Sequence, residues 1–136
     1  MQRARYVLTE RAAADLREAR SWSRRRWGRE PTNRYFDDLH GAARFIAQNQ
    51  RALHQREDPS GGTALFVHAV REHYFAYEPL GERSIVIVAV IRQGRDLPAI
   101  LRKWSVPIRR ELAGIRARLE RGEIPLRRAP AGRRRP

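Results

Sequence analysis

Apolar residues recur at helical spacing in two stretches of the N-terminal third of the chain. The first stretch begins after Thr9, a residue suited to cap a helix, and closes at Trp27-Gly28. The second follows Pro31, which favours a first helical turn, and ends near Gln50. The pattern predicts two amphipathic helices joined as a helical hairpin behind a short strand, RYVLT. Their apolar positions are Ala12, Leu16, Ala19 and Trp22 in the first helix, and Tyr35, Phe36, Leu39, Ala42, Ala43 and Ile46 in the second.

The pattern changes to that of strands after the polar loop QREDPSGG. Two candidate strands, ALFVHAV and EHYFAYE, precede a turn at PLGER, and the third strand, SIVIVAVIR, is the most apolar stretch of the chain. Apolar residues on both faces of the third strand predict a central strand that is covered on both sides. Strict alternation assigns isoleucines to one face and valines to the other, namely Ile85, Ile87 and Ile91 against Val86, Val88 and Val90.

A further helix is predicted at about residues 106–121, beyond the strands. Ser105 is suited to cap this helix, Pro107 to occupy its first turn and Gly122 to end it. Its apolar stripe must bury against its own domain, a second subunit or another protein, and the sequence leaves all three open. The final segment, LRRAPAGRRRP, has a composition typical of disordered chain. The residues of the apolar stripe are Ile108, Leu112, Ile115 and Leu119.

The order of these elements predicts an α+β fold. We expect the short strand and the two-helix hairpin to pack on a small antiparallel sheet, followed by a basic helical extension at the C-terminus. The chain divides on this basis into a domain at residues 1–101 and an extension at residues 102–136. With 136 residues and 41% hydrophobic side chains, the chain is large enough for one packed core.

Charge is distributed unevenly along the chain. The sequence holds 29 Lys and Arg against 15 Asp and Glu, a net charge of +14. Residues 1–101 carry 17 basic and 12 acidic side chains, whereas residues 102–136 carry 12 basic and 3 acidic ones. A positive field of this size attracts nucleic acid, acidic protein surfaces or anionic lipid. Contact between the basic tail and DNA is one partnership that this charge favours.

Several classes of protein are excluded by composition. The chain has no cysteine, which excludes disulfides, a thiolate nucleophile and a cysteine metal site. Its four histidines form no helical pair four residues apart, so we expect neither a metal nor another cofactor. The longest apolar run, residues 85–91, falls short of the roughly 20 residues that cross a bilayer. We expect a cytoplasmic protein with no membrane contact.

The order strand, helix, helix and three strands resembles the RelE/ParE superfamily of toxins from bacterial toxin–antitoxin pairs. The resemblance covers about residues 5–101 and ends in IRQGRDLPAIL, which is similar to the closing segment of the family. The Trp27-Gly28 helix end and the Arg95-Asp96 pair are similar to the ParE branch. The other matching segments are VLTERAAADLREARSWSRRRWG, RYFDDLHGAARFIAQNQ and VREHYFAYEPLGERSIVIVAVIR.

The resemblance implies a toxin with a protein partner and one of two activities. Members of the superfamily are neutralised by a cognate antitoxin, usually acidic and partly disordered, so a hetero-oligomer is implied. ParE-like members are associated with poisoning of DNA gyrase. RelE-like members are endonucleases that cut mRNA on the ribosome. The first activity is non-enzymatic inhibition of another enzyme, and the second is metal-free RNA cleavage.

The residues needed for RelE-like cleavage are incomplete in this chain. The strand that should be basic, LFVHAV, has no lysine, Tyr74 stands where an arginine is expected, and no tyrosine follows Arg95. The arginines that remain for a nuclease are Arg71, Arg92 and Arg95. His68 and His73 are the candidate bases, but residues five apart in extended chain point to opposite faces. We therefore expect no shared catalytic site for the two histidines.

The favoured interpretation is a ParE-like inhibitor of gyrase, with an mRNA endonuclease or a non-toxic basic nucleic-acid-binding module as alternatives. Each candidate contact residue also has a structural interpretation: the aspartate can cap a turn, and the tryptophans can pack the hairpin. Of Tyr74 and Tyr77, which lie on opposite faces, at least one is expected in the core. The candidates for binding the target or the antitoxin are Arg92, Arg95, Asp96, Trp22 and Trp27.

Overall fold

The computed structural model describes residues 5–53 and 60–122. The predicted tail of the chain lies outside these residues. The strands are Arg5–Leu8 (β1), Phe66–Val70 (β2), His73–Gly81 (β3) and Ser84–Arg92 (β4). The helices are Glu10–Trp27 (α1), Arg29–Gln48 (α2), Leu97–Lys103 (α3) and Ser105–Glu120 (α4), with a 3₁₀ turn at Gln50–Ala52.

The four strands form one sheet in the order β1-β4-β3-β2. Strands β2, β3 and β4 are an antiparallel meander, as predicted. Strand β1 pairs with β4 in parallel, so the sheet is mixed rather than wholly antiparallel. The α+β class is confirmed, and so is the central place of β4, whose residues from Ile85 to Ile91 are all buried.

The α1–α2 hairpin begins and turns at two residues that suit these positions. Thr9 caps α1 by accepting a hydrogen bond from the Ala12 N–H at 3.1 Å. Gly28 alone separates α1 from α2, and its φ of +87° lies in the region that favours glycine. The two helices therefore reverse direction with almost no loop.

The hairpin covers one face of the sheet. Side chains of β1, β3 and β4 interlock there with the apolar stripes of α1 and α2, as their spacing predicts. Tyr77 is 2% exposed in this layer, which confirms that one of the two strand tyrosines is in the core. The largest members of this layer are Phe36, Leu39, Ile46, Phe75, Tyr77, Ile85 and Ile87.

The C-terminal helices cover the opposite face. Ile108, Leu112 and Ile115 of α4 are buried against this face, so the apolar stripe packs on its own chain. Gly122, with a φ of +70°, follows the end of α4 as predicted. Ser105 does not cap α4, because α3 runs to Lys103 and leaves only Trp104 between the two helices. The core residues that α4 meets include Val7, Ala76, Val86, Val88, Leu97 and Leu101.

The predicted alternation along β4 is wrong beyond Val88. The pairing of β3 with β4 shifts there, from Tyr77 opposite Ile87 to Ala76 opposite Ala89. This β-bulge adds one residue to β4 and exchanges the faces of everything that follows. Val90 consequently packs on the side of the helical hairpin, and Ile91 packs on the side of α4.

Candidate functional site

A cleft of about 270 Å³ lies where the hairpin turn meets the end of β4. Four of the residues predicted to bind a target or an antitoxin line it: Trp22 and Trp27 from α1, Arg92 from the end of β4, and Arg95 from the loop that follows. The fold thus brings together residues that are distant in the sequence. The other polar lining residues are Arg11, Asp15, Glu18, Ser23, Arg25, Tyr35, Glu72 and His73.

The aromatic part of the cleft is ordered by stacking. The Arg92 guanidinium carbon lies 4.4 Å from the centre of the Trp22 ring. Trp22 and Trp27 meet edge to face with their ring centres 5.3 Å apart. Trp27 is 39% exposed, so the pair presents an apolar surface to an incoming partner as well as packing the hairpin. The contact and structural interpretations of these tryptophans are compatible.

The segment from Arg92 to Asp96 combines four roles that the sequence did not separate. The Gln93 side-chain amide donates to the carbonyls of Arg71 and His73, at 2.7 and 3.1 Å, and so binds the β2–β3 turn. Gly94 adopts a φ of +97°, which lets the chain turn sharply. Arg92 and Arg95 then face the cleft. Asp96 accepts the Ala99 N–H at 3.2 Å and caps α3, so the structure gives it a structural role outside the cleft lining.

A tyrosine–histidine pair forms one wall of the cleft. The Tyr35 hydroxyl accepts the Glu72 N–H at 3.2 Å and bonds to Nδ1 of His73 at 2.6 Å. Burial raises the pKa of Tyr35. Burial, followed by the nearby Arg92 charge, lowers the pKa of His73, so its imidazole is neutral at pH 7. The imidazole tautomer decides which of the two groups donates in this hydrogen bond.

Carboxylates give the cleft a mixed charge. Asp15 of α1 accepts the Val90 N–H at 2.9 Å, and its side chain is 20% exposed. Burial raises the pKa of Asp15, against the effects of that hydrogen bond and of the Arg11 charge. Glu18 and Glu72 also line the cleft. An anionic partner must therefore reach the arginines without approaching these carboxylates.

The three arginines proposed for a nuclease do not converge on one site. Arg71 lies outside the cleft, where it pairs with the Asp38 carboxylate. Its guanidinium carbon is 4.9 Å from the centre of the Tyr35 ring, and it borders a separate depression with Pro31 and Asp38. Arg92 and Arg95 are the members of this set that share the cleft.

The prediction that His68 and His73 point to opposite faces is wrong. They lie on different strands, and His68 pairs with Phe75, two residues after His73 on β3. The chain reverses between them at Arg71, which has a φ of +53°, so simple alternation does not apply. Both histidines therefore face the hairpin side. His73 is bonded to Tyr35, and burial lowers the pKa of His68.

Two residues of the cleft were missed by sequence reasoning. Tyr35 was counted only as part of an apolar stripe, although a buried tyrosine hydroxyl needs a hydrogen-bond partner. Asp15 was one of several charged residues on α1, and no local pattern separates it from Glu18. The signal for Asp15 is tertiary, because it depends on where the edge of β4 loses its strand partner.

The part of the chain that the structure describes holds neither a metal-binding cluster nor a membrane-crossing helix. Within residues 5–53 and 60–122, no three His, Asp or Glu side chains are grouped to hold a metal ion. None of the described helices is both long enough and apolar enough to traverse a bilayer.

One family and a set of solved structures resemble the chain. A family model described as the ParE toxin of the type II toxin–antitoxin system, parDE, matches residues 6–97, more than half of the sequence. A chain from the chromosomal ParDE TA system of P. aeruginosa is similar in structure, with a TM-score of 0.55 and 17% sequence identity. That alignment covers 66% of this chain and 96% of the other, and at this identity it shows the fold alone. A search of curated proteins found no match.

Proposed function

The chain belongs to the ParE toxin family of type II toxin–antitoxin systems, and from this premise we propose that it inhibits DNA gyrase through the cleft at the end of β4. Family membership implies an antitoxin as partner. The inhibition is non-enzymatic, because the toxin binds gyrase and obstructs its cycle without reacting itself. It takes place in the cytoplasm, where gyrase acts on DNA.

The observation that carries the proposal is the meeting of Trp22, Trp27, Arg92 and Arg95 in one cleft. Tryptophan and arginine are the residues most often found at the energetic centres of protein–protein interfaces. Arg92 is already stacked on Trp22, so little side-chain freedom is lost when a partner binds. The cleft therefore fits a protein partner better than it fits a small metabolite.

We propose that the antitoxin is an acidic, partly disordered protein that covers the same cleft. The net charge of +14 favours association with an acidic chain. Competition for one surface would explain how antitoxin binding and gyrase inhibition exclude each other. The test is whether a saturating amount of antitoxin protects Trp22 and Trp27 from a fluorescence quencher in solution.

The basic C-terminal segment is proposed to add sequence-independent attraction to DNA. Residues 123–136 contain five arginines and one glutamate, and they follow a helix that also carries many arginines. Phosphate contacts of this kind weaken steeply with salt, at about one decade of affinity per tenfold salt for each contact. Removal of residues 123–136 should flatten the salt dependence of binding to duplex DNA. An unchanged slope would exclude the segment from DNA contact.

One observation favours a second candidate, a ribosome-dependent mRNA endonuclease. The Tyr35–His73 pair lies near both Arg71 and Arg92, and a neutral imidazole can accept a proton from a ribose hydroxyl. Against it, Tyr35 is only 5% exposed and Arg71 is paired with Asp38. The arrangement fits a structural hydrogen bond better than a catalytic centre.

Two parallel reactions test the proposal. Purified protein is added to gyrase with relaxed plasmid, and separately to translating ribosomes whose mRNA ends are mapped. We expect loss of supercoiling and accumulation of cleaved plasmid in the first reaction, and no new mRNA ends in the second. Specific cuts on translating ribosomes would establish the endonuclease instead. No effect in either reaction, with harmless expression in the absence of antitoxin, would leave a nucleic-acid-binding module.

A further inference from the structure

The side of the sheet on which Arg92 emerges is decided by the bulge at Val88. Ile85 and Ile87 face the helical hairpin, and uninterrupted alternation would continue through Ala89 and Ile91. Arg92 would then point toward α4, away from Trp22. The register shift places Val90 on the hairpin side instead, and Arg92, two residues later, stacks on the Trp22 ring.

The bulge is held by the start of α1. Pairing of β1 with β4 ends at Leu8 and Ile87, so the next backbone groups of β4 have no β1 partner on that edge. The Thr9 N–H donates to the Ile87 carbonyl at 3.0 Å, and the Thr9 hydroxyl donates to the Val88 carbonyl at 3.1 Å. The Asp15 carboxylate accepts the Val90 N–H at 2.9 Å. Groups at the start of α1 thus replace the missing strand, namely the backbone N–H and the hydroxyl of Thr9 and the carboxylate of Asp15.

Asp15 differs from Thr9 because it bonds to Val90, which follows the bulge. Its carboxylate is 20% exposed and lies 3.9 Å from the Arg11 guanidinium, with Glu18 and Arg95 among the charged groups around it. A buried N–H that loses its acceptor is costly, so the Val90 N–H favours the register in which Asp15 can reach it. No other acceptor for that N–H is contributed by β1, which has already ended.

We propose that Asp15 is a positioning residue: by accepting the Val90 N–H it fixes the bulge in β4 and thereby directs Arg92 into the cleft, onto Trp22. The importance of this for inhibition rests on the proposed function, since Arg92 is there a contact residue. The effect of Asp15 on the Arg92–Trp22 stack is independent of the proposed function, and it can be measured in the isolated protein.

The test uses Trp22 as its own reporter. The chain has three tryptophans, so Trp27→Phe and Trp104→Phe leave Trp22 as the single emitter. Arg92→Met in this background gives the emission of an unstacked Trp22. Asp15→Leu removes the acceptor and keeps the number and branching of the heavy atoms, whereas Asp15→Asn retains a carbonyl acceptor. Glu30→Leu removes a carboxylate from an exposed position of α2, outside the cleft, and serves as the control.

We expect Asp15→Leu to reproduce most of the emission change of Arg92→Met, while Asp15→Asn and Glu30→Leu stay close to the parent. Emission from Asp15→Leu that matches the parent, in a folded protein, would overturn the proposal. If Asp15→Leu does not fold, hydrogen exchange of the Val90 amide in the unaltered protein decides the matter. Slow exchange is expected, and exchange as fast as that of an unprotected amide would overturn the assignment.

Gyrase assays with the same substitutions in the three-tryptophan protein separate the two proposals. We expect Asp15→Leu to lower inhibitory potency about tenfold, as misplacement of one stacked, charged contact would do. If the parent does not inhibit gyrase but Asp15→Leu still alters the Trp22 emission, the proposed function fails and the positioning role stands. If the parent inhibits and Asp15→Leu inhibits equally well, the positioning role is contradicted.

Discussion

Two glycines in the helical hairpin differ in whether the backbone conformation requires glycine. Gly28 joins α1 to α2 with a φ of +87° and a ψ of −178°, a conformation that side chains with a Cβ rarely adopt. Gly41 lies inside α2 with helical geometry, and a Cβ built on it would meet nothing within 4 Å. The sequence pattern identified Gly28 as a boundary, but it could not show that Gly41 has open space around it.

Replacing Gly41 with alanine should therefore stabilise the protein. Alanine is favoured over glycine in a helix interior by about 1 kcal/mol, and no clash offsets this gain. Gly28→Ala, the matched substitution at the turn, should cost about 1–3 kcal/mol. Urea denaturation of the two variants measures both changes in the free energy of unfolding. A destabilising Gly41→Ala would mean that the surface of α2 is more crowded than the structure indicates.

Asp96 shows how one motif residue can be explained without a binding role. The sequence allowed both a contact residue and a cap, and the structure has it capping α3 through the Ala99 N–H. Asp96→Ala should lower the free energy of unfolding by about 1 kcal/mol, as for other lost N-caps. The same variant, once folded, should inhibit gyrase as the parent does. Loss of inhibition without loss of stability would show that Asp96 contacts the target.

At the scale of elements, the strand β4 was predicted correctly in extent and wrongly in register. Its bounds, Ser84–Arg92, follow from an apolar run between two polar turns. The bulge at Val88 depends on hydrogen bonds with Thr9, which donates, and with Asp15, which accepts, and both lie far away in the sequence. Local alternation carries no information on such contacts, and for this reason the orientation of Arg92 could not be predicted.

The attachment of α4 to β3 should depend on pH through Glu78. Arg109 and Arg116 of α4 both donate to its carboxylate, at 2.6 and 2.9 Å. Burial opposes ionisation of Glu78, but these hydrogen bonds outweigh it and lower the pKa. Because the folded pKa is lowered, the stabilisation is complete above the unfolded value of about 4.3 and is lost as pH falls through the folded pKa.

Glu78→Gln should remove this pH-dependent contribution. We expect the variant to lose about 1 kcal/mol at pH 7 and low salt, and less at high salt, because both arginines are partly exposed. Below the folded pKa of Glu78, variant and parent should converge in stability. The measurement is urea denaturation between about pH 3 and pH 7, a range that includes the ordinary carboxylate pKa of about 4. A constant difference across that range would contradict the assigned ion pairs.

At the scale of the whole molecule, the C-terminal helices complete the core instead of trailing from it. Ile108, Leu112 and Ile115 close the second face of the sheet, which the apolar valines of β4 had indicated must be covered. The sequence predicted that both faces of β4 are covered and that an amphipathic helix follows the strands. It could not show that this helix is the element that covers the second face. The division of the chain at residue 101 stays a prediction, and the tail beyond Gly122 lies outside the described residues.

Four residues of the cleft could be named from the sequence, but the geometry of the cleft could not be predicted. The motif resemblance pointed to the two tryptophans and to Arg92 and Arg95, all of which line the cleft. Their meeting depends on the glycine turn at Gly28, on the bulge in β4 and on the sharp turn at Gly94. Each of these features belongs to the tertiary structure. The sequence could therefore name the residues but could not show that they meet in one cleft.

Inhibition of gyrase through the cleft is tested most directly by gyrase supercoiling with the double variant Arg92→Ala/Arg95→Ala. Arg17→Ala/Arg44→Ala is the charge-matched control, since both of its arginines are exposed on the helical hairpin and neither lines the cleft. We expect the parent and the control to inhibit supercoiling equally, and the cleft variant to be at least about tenfold weaker while remaining folded. Equal inhibition by a folded cleft variant, or no inhibition by the parent, would contradict inhibition of gyrase through the cleft.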